Sequence, residues 1–125
     1  MSYILGIDYG EKYIGLALSD KNSRFSEPFS IKRNNKDFYI FLINILEKYN
    51  IVKIVIGNPV NIDGSEGFSS KRVRDFVQSL NLEIDCIFWN ETLTSFEVEN
   101  KKNVRIDDKS ASIILQEYLD FINKV

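Results

Sequence analysis

The chain contains no histidine among its 125 residues. That removes the usual general base near neutral pH, any Ser-His or Cys-His nucleophile pair, and imidazole metal sites. A single cysteine, Cys86, excludes a disulfide framework. Its place in the apolar run Ile84-Asp-Cys-Ile-Phe-Trp89 suits a buried, reduced thiol. No apolar run approaches membrane-spanning length, and no basic segment leads into an apolar one as in an export signal. A cytoplasmic protein without membrane association is therefore expected. Charge of one sign is lacking too: net −2 with a pI near 5.2 argues against gripping nucleic acid by bulk electrostatics. Any hydrolytic chemistry must lean on carboxylates, and most naturally on a hard cation they hold.

What is present is 44% hydrophobic and 27% charged, the balance of a globular domain spanning 1–125. Two apolar runs, 3–8 and 13–19, flank Tyr9-Gly10-Glu11-Lys12 and predict an antiparallel hairpin. Asp8 closes the first strand. Reactive groups collect at the carboxyl edge of such sheets, but an aspartate there also suits steadying the turn. Residues 24–31 predict a third strand, with Pro28 at an edge or bulge. Asn34 and Asn35 precede a helix whose stripe, Phe38, Phe41, Leu42, Ile45 and Tyr49, belongs to the core, and Asn50 suits its stop.

A β-branched run, 52–56, predicts a central strand, and the glycine-rich stretch 57–67 reads as a loop. Ser65 is placed to cap the next helix, whose apolar face is Val73, Phe76, Val77 and Leu80. Lys71, Arg72 and Arg74 fall on its solvent side. Residues 84–89 predict the fifth strand, ending in Asn90-Glu91-Thr92. A short helical segment near 94–100 and a basic link, 101–105, lead to a last helix opening at Asp107-Asp108, with Ala111, Ile114, Leu115, Tyr118 and Ile122 on one stripe. Asp107 also suits a helix N-cap.

Three carboxylates thus fall at comparable places. Asp8 ends strand one, Glu91 ends strand five, and Asp107 opens the last helix. If they converge, they bind Mg²⁺ or Mn²⁺ through oxygen. Two such ions, about 3.5–4 Å apart, activate a water and steady the leaving oxygen of a phosphodiester. Spacing alone is weak support, because 18 acidic residues yield many such triples.

The motifs carry more. Gly6-Ile-Asp8-Tyr-Gly10-x-Lys12-x-Ile14-Gly15-Leu-Ala-Leu-Ser19-Asp20 resembles the opening of the YqgF family. The stretch 56–67 (Ile-Gly-Asn-Pro-Val-Asn-Ile-Asp-Gly-Ser-Glu-Gly), then Glu91-Thr92-Leu93-Thr94, then Asp107 through Ile114-Leu115-Gln116-Glu117-Tyr118-Leu119-Asp120, agree in order. Members are ribonuclease H-like proteins described as Holliday-junction-resolvase-like and as pre-16S ribosomal RNA nucleases. The resemblance implies an α/β, ribonuclease H-like fold: a five-stranded mixed sheet of order 3-2-1-4-5, strand two antiparallel, with helices on both faces. It implies a nuclease acting on structured nucleic acid, with the 5′ end of pre-16S rRNA favoured and branched DNA the alternative. Asp8, Glu91 and Asp107 would be catalytic residues and ligands of two Mg²⁺ or Mn²⁺ ions, with Asp108 the alternative to Asp107. Gly10, Lys12, Asn58, Asn61, Ser65, Lys71, Arg72 and Arg74 would contact substrate, and the protein would act as a monomer or weak homodimer.

Departures from the family pattern are Tyr13 and Thr92 in place of arginine, Asn58 in place of leucine, Asn90 in place of aspartate, and a shortened stretch before Asp107. They spare the three ligands and weaken the positive surroundings. A non-catalytic RNA or ribosome-assembly binding module is the reading from another class. Phosphate-cradling hairpins also occur in actin-like ATPases, but those need two such domains.

Overall fold

The computed structural model describes residues 1–92 and 108–124. Its elements are β1 (Tyr3–Asp8), β2 (Tyr13–Ser19), β3 (Ser26–Arg33), α1 (Asp37–Lys48), β4 (Ile51–Val60), α2 (Phe68–Leu80), β5 (Asp85–Thr92) and α3 (Asp108–Ile122). The strands form one sheet in the order β3-β2-β1-β4-β5. β2 runs antiparallel to both its neighbours, whereas β1, β4 and β5 are parallel. The order and directions are those expected from the sequence. The segment 94–100 and Asp107 lie outside the described residues.

Central strands are apolar at nearly every position because both sheet faces are covered. On one face α1 and α2 pack Phe38, Leu42, Ile45, Val73 and Leu80 onto Leu5, Ile7, Ile14, Leu16, Ile54 and Ile56. On the other, α3 packs Ala111, Ile114, Leu115, Tyr118 and Leu119 onto Ile4, Ala17, Val55, Ile87 and Trp89. Full burial of each large side chain contributes roughly 1.5–3 kcal/mol before chain entropy is charged against it. Leu119 completes the α3 stripe in place of Ile122, which stays exposed.

α3 approaches the sheet closely enough to require glycine beneath it. A Cβ on Gly6 would lie 2.8 Å from Leu115 Cβ and 3.1 Å from the Ala111 carbonyl oxygen, and one on Gly57 2.7 Å from Ile114 Cδ1. From there the helix runs toward the opposite edge, where Lys53 Nζ donates to Tyr118 Oη at 3.0 Å and Asn123 Nδ2 to the Ser23 carbonyl at 2.7 Å. The start of α3 therefore lies at the carboxyl edge of β1 and β4.

Two expectations need correction. Residues 57–60 are not loop: β4 continues through Gly57-Asn58-Pro59-Val60, paired with Trp89–Thr92 of an equally extended β5. Small polar residues read as a loop, but a parallel neighbour and full burial of Asn58 keep the chain extended. Nor does Ser65 cap α2. The N-cap is Gly67, without a side-chain hydrogen bond. Pro28, expected at an edge or bulge, occupies both, since β3 is an edge strand whose register slips there. Asn50 and Asn81 end α1 and α2 at φ of 48° and 47°, the left-handed region that asparagine tolerates.

Candidate active site

Strand alternation decides which carboxylates can meet. Ile4 and Gly6 of β1 face α3, so Asp8 falls on that same face. Ile87 and Trp89 of β5 also pack in the α3 layer, which puts Glu91 there too. Ile7 pairs with Ile56 and Gly57 with Trp89, so Glu91 stands one strand beyond β4 and two residues farther out than Asp8. Two strand spacings of about 4.8 Å and two rises of about 3.3 Å put their Cα atoms roughly 12 Å apart. A gap of that size is within the span of one aspartate, one glutamate and two oxygen–metal bonds of about 2.0–2.6 Å.

The Glu91 Oε1 atom is sealed from solvent, and Asp8 and Glu91 both interact with other groups of the chain. α3 opens at Asp108, and one turn of that helix brings the Ala111 carbonyl onto Gly6, two residues before Asp8. Among the described residues no group of three or more metal-ligating side chains assembles; the expected third ligand, Asp107, lies outside them. The donor chemistry fits a hard divalent cation, because carboxylate oxygens are offered and imidazole is absent from the chain.

The reverse face of the same edge holds a connected polar group. Asn58 is fully buried, and its Nδ2 donates to Asn90 Oδ1 at 3.0 Å and to Glu66 Oε2 at 3.3 Å. Its Oδ1 has no partner among the described residues. Glu66 takes a bidentate pair from Arg74, at 2.7 and 2.6 Å, and the Arg74 guanidinium rests 4.4 Å from the Phe88 ring centre. That pairing holds the Glu66 carboxyl below its ordinary value, helped by the Asn58 amide. It raises the Arg74 guanidinium in return.

The other expected substrate contacts are engaged within the chain. Arg72 pairs with Glu11, and Lys71 Nζ with Asp75 at 2.8 Å. With Arg74 on Glu66, the three cations of α2 therefore face three carboxylates. Such exposed pairs are worth about 0–1 kcal/mol, so phosphate can displace them. In the loop after β4, Asn61 Nδ2 donates to Ser65 Oγ, while the Ser65 amide and hydroxyl both donate to Asp63. Those bonds hold the Asp63 carboxyl below its ordinary value. In the β1–β2 turn, the Gly10 carbonyl accepts from Asn34 Nδ2 at 2.8 Å and that of Lys12 from the Asn34 amide.

A family model described as "RuvX: Holliday junction resolvase" matches residues 2–121. The chain belongs to the RuvX family. This is the YqgF group that its motifs resemble. A relative from Syntrophus aciditrophicus (strain SB), named "Putative pre-16S rRNA nuclease", is 36% identical, covering 97% of this chain and 90% of its own. Another of that name, from Halothermothrix orenii, is 34% identical over 98% and 97%. Among solved structures, Thermus thermophilus RuvC in complex with Holliday junction substrate superposes with TM-score 0.56 at 9% identity, covering 98% and 96% of the chains. The fowlpox virus Holliday junction resolvase gives 0.55 at 16%, covering 96% and 99%. At such identities these neighbours establish the shared ribonuclease H-like fold alone.

Sequence reasoning missed the Asn58–Asn90 pair as an organising contact. Only an extended β4 puts those two residues in register.

Proposed function

We propose that this RuvX chain is a metal-dependent nuclease that hydrolyses phosphodiester bonds of structured RNA, with the 5′ end of pre-16S rRNA as substrate. The observation that carries the reading is the placement of Asp8 and Glu91 on one sheet face, at the edge where α3 begins. The names of relatives at about a third identity over nearly the whole chain support the substrate.

In this reading Asp8 and Glu91 hold Mg²⁺ or Mn²⁺, two ions in the full complement, and Asp107 completes the set. Bound there, the ions would supply an activated water and neutralise charge on the phosphodiester, which would account for hydrolysis without histidine. Asp8 is held in place because β1 lies hydrogen-bonded between β2 and β4. Lys12, in the turn directly after it, contacts a neighbouring phosphate, and Arg74 joins when nucleic acid displaces Glu66, while Arg72 meets the substrate from its place beside Glu11. Asn58 positions the end of β5 from behind, through the residue that precedes Glu91. The protein works in the cytoplasm as a monomer or weak homodimer, without a membrane.

The family description favours a second substrate, a four-way DNA junction. Incubating the purified protein with precursor 16S rRNA and with a four-way junction, in Mg²⁺ or Mn²⁺, separates the two. Cleavage of the RNA by wild type and none by Asp8→Asn is the expected result. Cleavage of the junction alone selects the second reading. Cleavage of neither leaves the non-catalytic binding module.

A further inference from the structure

We propose that the ring of Phe68, backed by the Arg72 guanidinium, is a stacking platform for an unpaired nucleobase of the strand that passes over Asp8. The proposal rests on the nuclease reading and adds to it a requirement for single-stranded substrate beside the cut.

Phe68 is the first residue of α2, is 71% exposed, and belongs to neither core layer. A lone exposed apolar side chain needs no explanation. Three features set this one apart. Arg72, one helical turn on, lays its guanidinium 4.6 Å from the ring centre, occupying one face of the ring. Glu11 pairs with that guanidinium and holds it there. Glu11 also fixes the distance to the candidate centre, because it lies three residues after Asp8, a span of at most about 11 Å. A second contact, Tyr9 on Phe76 with ring centres 4.6 Å apart, binds the same turn to α2.

The platform therefore stands on the edge that presents Asp8, with its outer face toward solvent. Because the cations of α2 are matched by carboxylates, long-range attraction there is weak. Stacking is the form of grip this surface retains. Aromatic rings hold unpaired nucleotides whatever their sequence, since every base offers a π-face, and arginine adds cation–π attraction. A duplex offers no such face along its length.

The test uses the full chain, with Ca²⁺ replacing Mg²⁺ to hold cleavage off. The probes are a short single-stranded RNA carrying one 2-aminopurine and a blunt RNA duplex of the same length. Phe68→Leu keeps an apolar side chain without the π-face, and Phe68→Trp keeps the stack. Phe68→Leu is expected to weaken single-strand binding by roughly 5- to 150-fold and to abolish 2-aminopurine quenching. Duplex affinity should hold, and Phe68→Trp should restore both signals. Unchanged single-strand affinity in Phe68→Leu, or an equal loss on duplex, overturns the platform and leaves the nuclease reading standing. A wild type that binds neither probe and cleaves neither substrate overturns the nuclease reading itself.

Discussion

Adding one methyl group at Gly6 should lever α3 away from the sheet. The new Cβ would lie 2.8 Å from Leu115 Cβ and 3.1 Å from the Ala111 carbonyl oxygen. Carbon pairs rest at about 3.5–4.0 Å, so the helix must withdraw by roughly 0.7 Å or more. Neither neighbour is a flexible side-chain end that can turn aside. Overpacking of this kind costs about 1–3 kcal/mol, and relief of the glycine entropy penalty in a strand returns about 0.5 kcal/mol. For 125 residues, about 2.1 cal/mol/K each makes 1 kcal/mol worth about 4 °C in Tm. Gly6→Ala should therefore lower Tm by about 2–10 °C in a calorimetric scan. Gly57→Ala is the control: its clash is with Ile114 Cδ1, a terminal methyl that rotates away, so its Tm should fall by less. Because the displaced segment, Ala111 to Leu115, lies within the first two turns of α3, Gly6→Ala should, on the nuclease reading, also lose cleavage well below its own Tm. An unchanged Tm for Gly6→Ala, or a larger loss for Gly57→Ala, would refute the close-packing argument.

Other consequences are smaller and independent. Ser19→Ala strands the buried Ile4 amide, which donates to Ser19 Oγ at 2.9 Å, and should cost about 1–3 kcal/mol in urea unfolding. Glu66 is depressed by Arg74, so the pair's contribution is complete above the ordinary carboxylate value of 4.5 and fades as pH falls through the lower folded value. Stability of wild type and Glu66→Gln should accordingly converge in acid; a constant gap down to full protonation would contradict the pairing. Burial, with Asp85 adding to it, raises the Cys86 thiol, so alkylation at neutral pH should be slow in the folded protein and fast in denaturant.

Much of the fold was legible because its signals are local. Apolar alternation broken by Tyr9-Gly10-Glu11-Lys12 marks the hairpin, and the Phe38–Tyr49 stripe marks α1. The carboxyl half of β4 was not, since Gly57, Asn58 and Pro59 carry loop propensities that β5 and burial override. The strand-end positions of Asp8 and Glu91 were legible as well, and alternation along β1 and β5 puts both on the α3 face. The pairing of Arg72 with Glu11 could not, because it joins residues 61 positions apart through the packing of α2 against a turn. Ser65 misled for a related reason: its hydroxyl donates to Asp63 and accepts from Asn61 within the loop, and the helix begins only after Gly67.

The central claim, that Asp8 and Glu91 share a divalent cation, is tested most directly by the shift of Tm on adding Mn²⁺ to the pure protein. A cation at 100 times its Kd stabilises the folded state by about 2.7 kcal/mol, or about 10 °C here. Wild type should show that rise, and Asp8→Asn and Glu91→Gln should lose most of it. Both variants should still unfold in one cooperative transition without metal, which separates loss of the cation from loss of the fold. A full Mn²⁺ response in both variants, or none in wild type, would contradict the account.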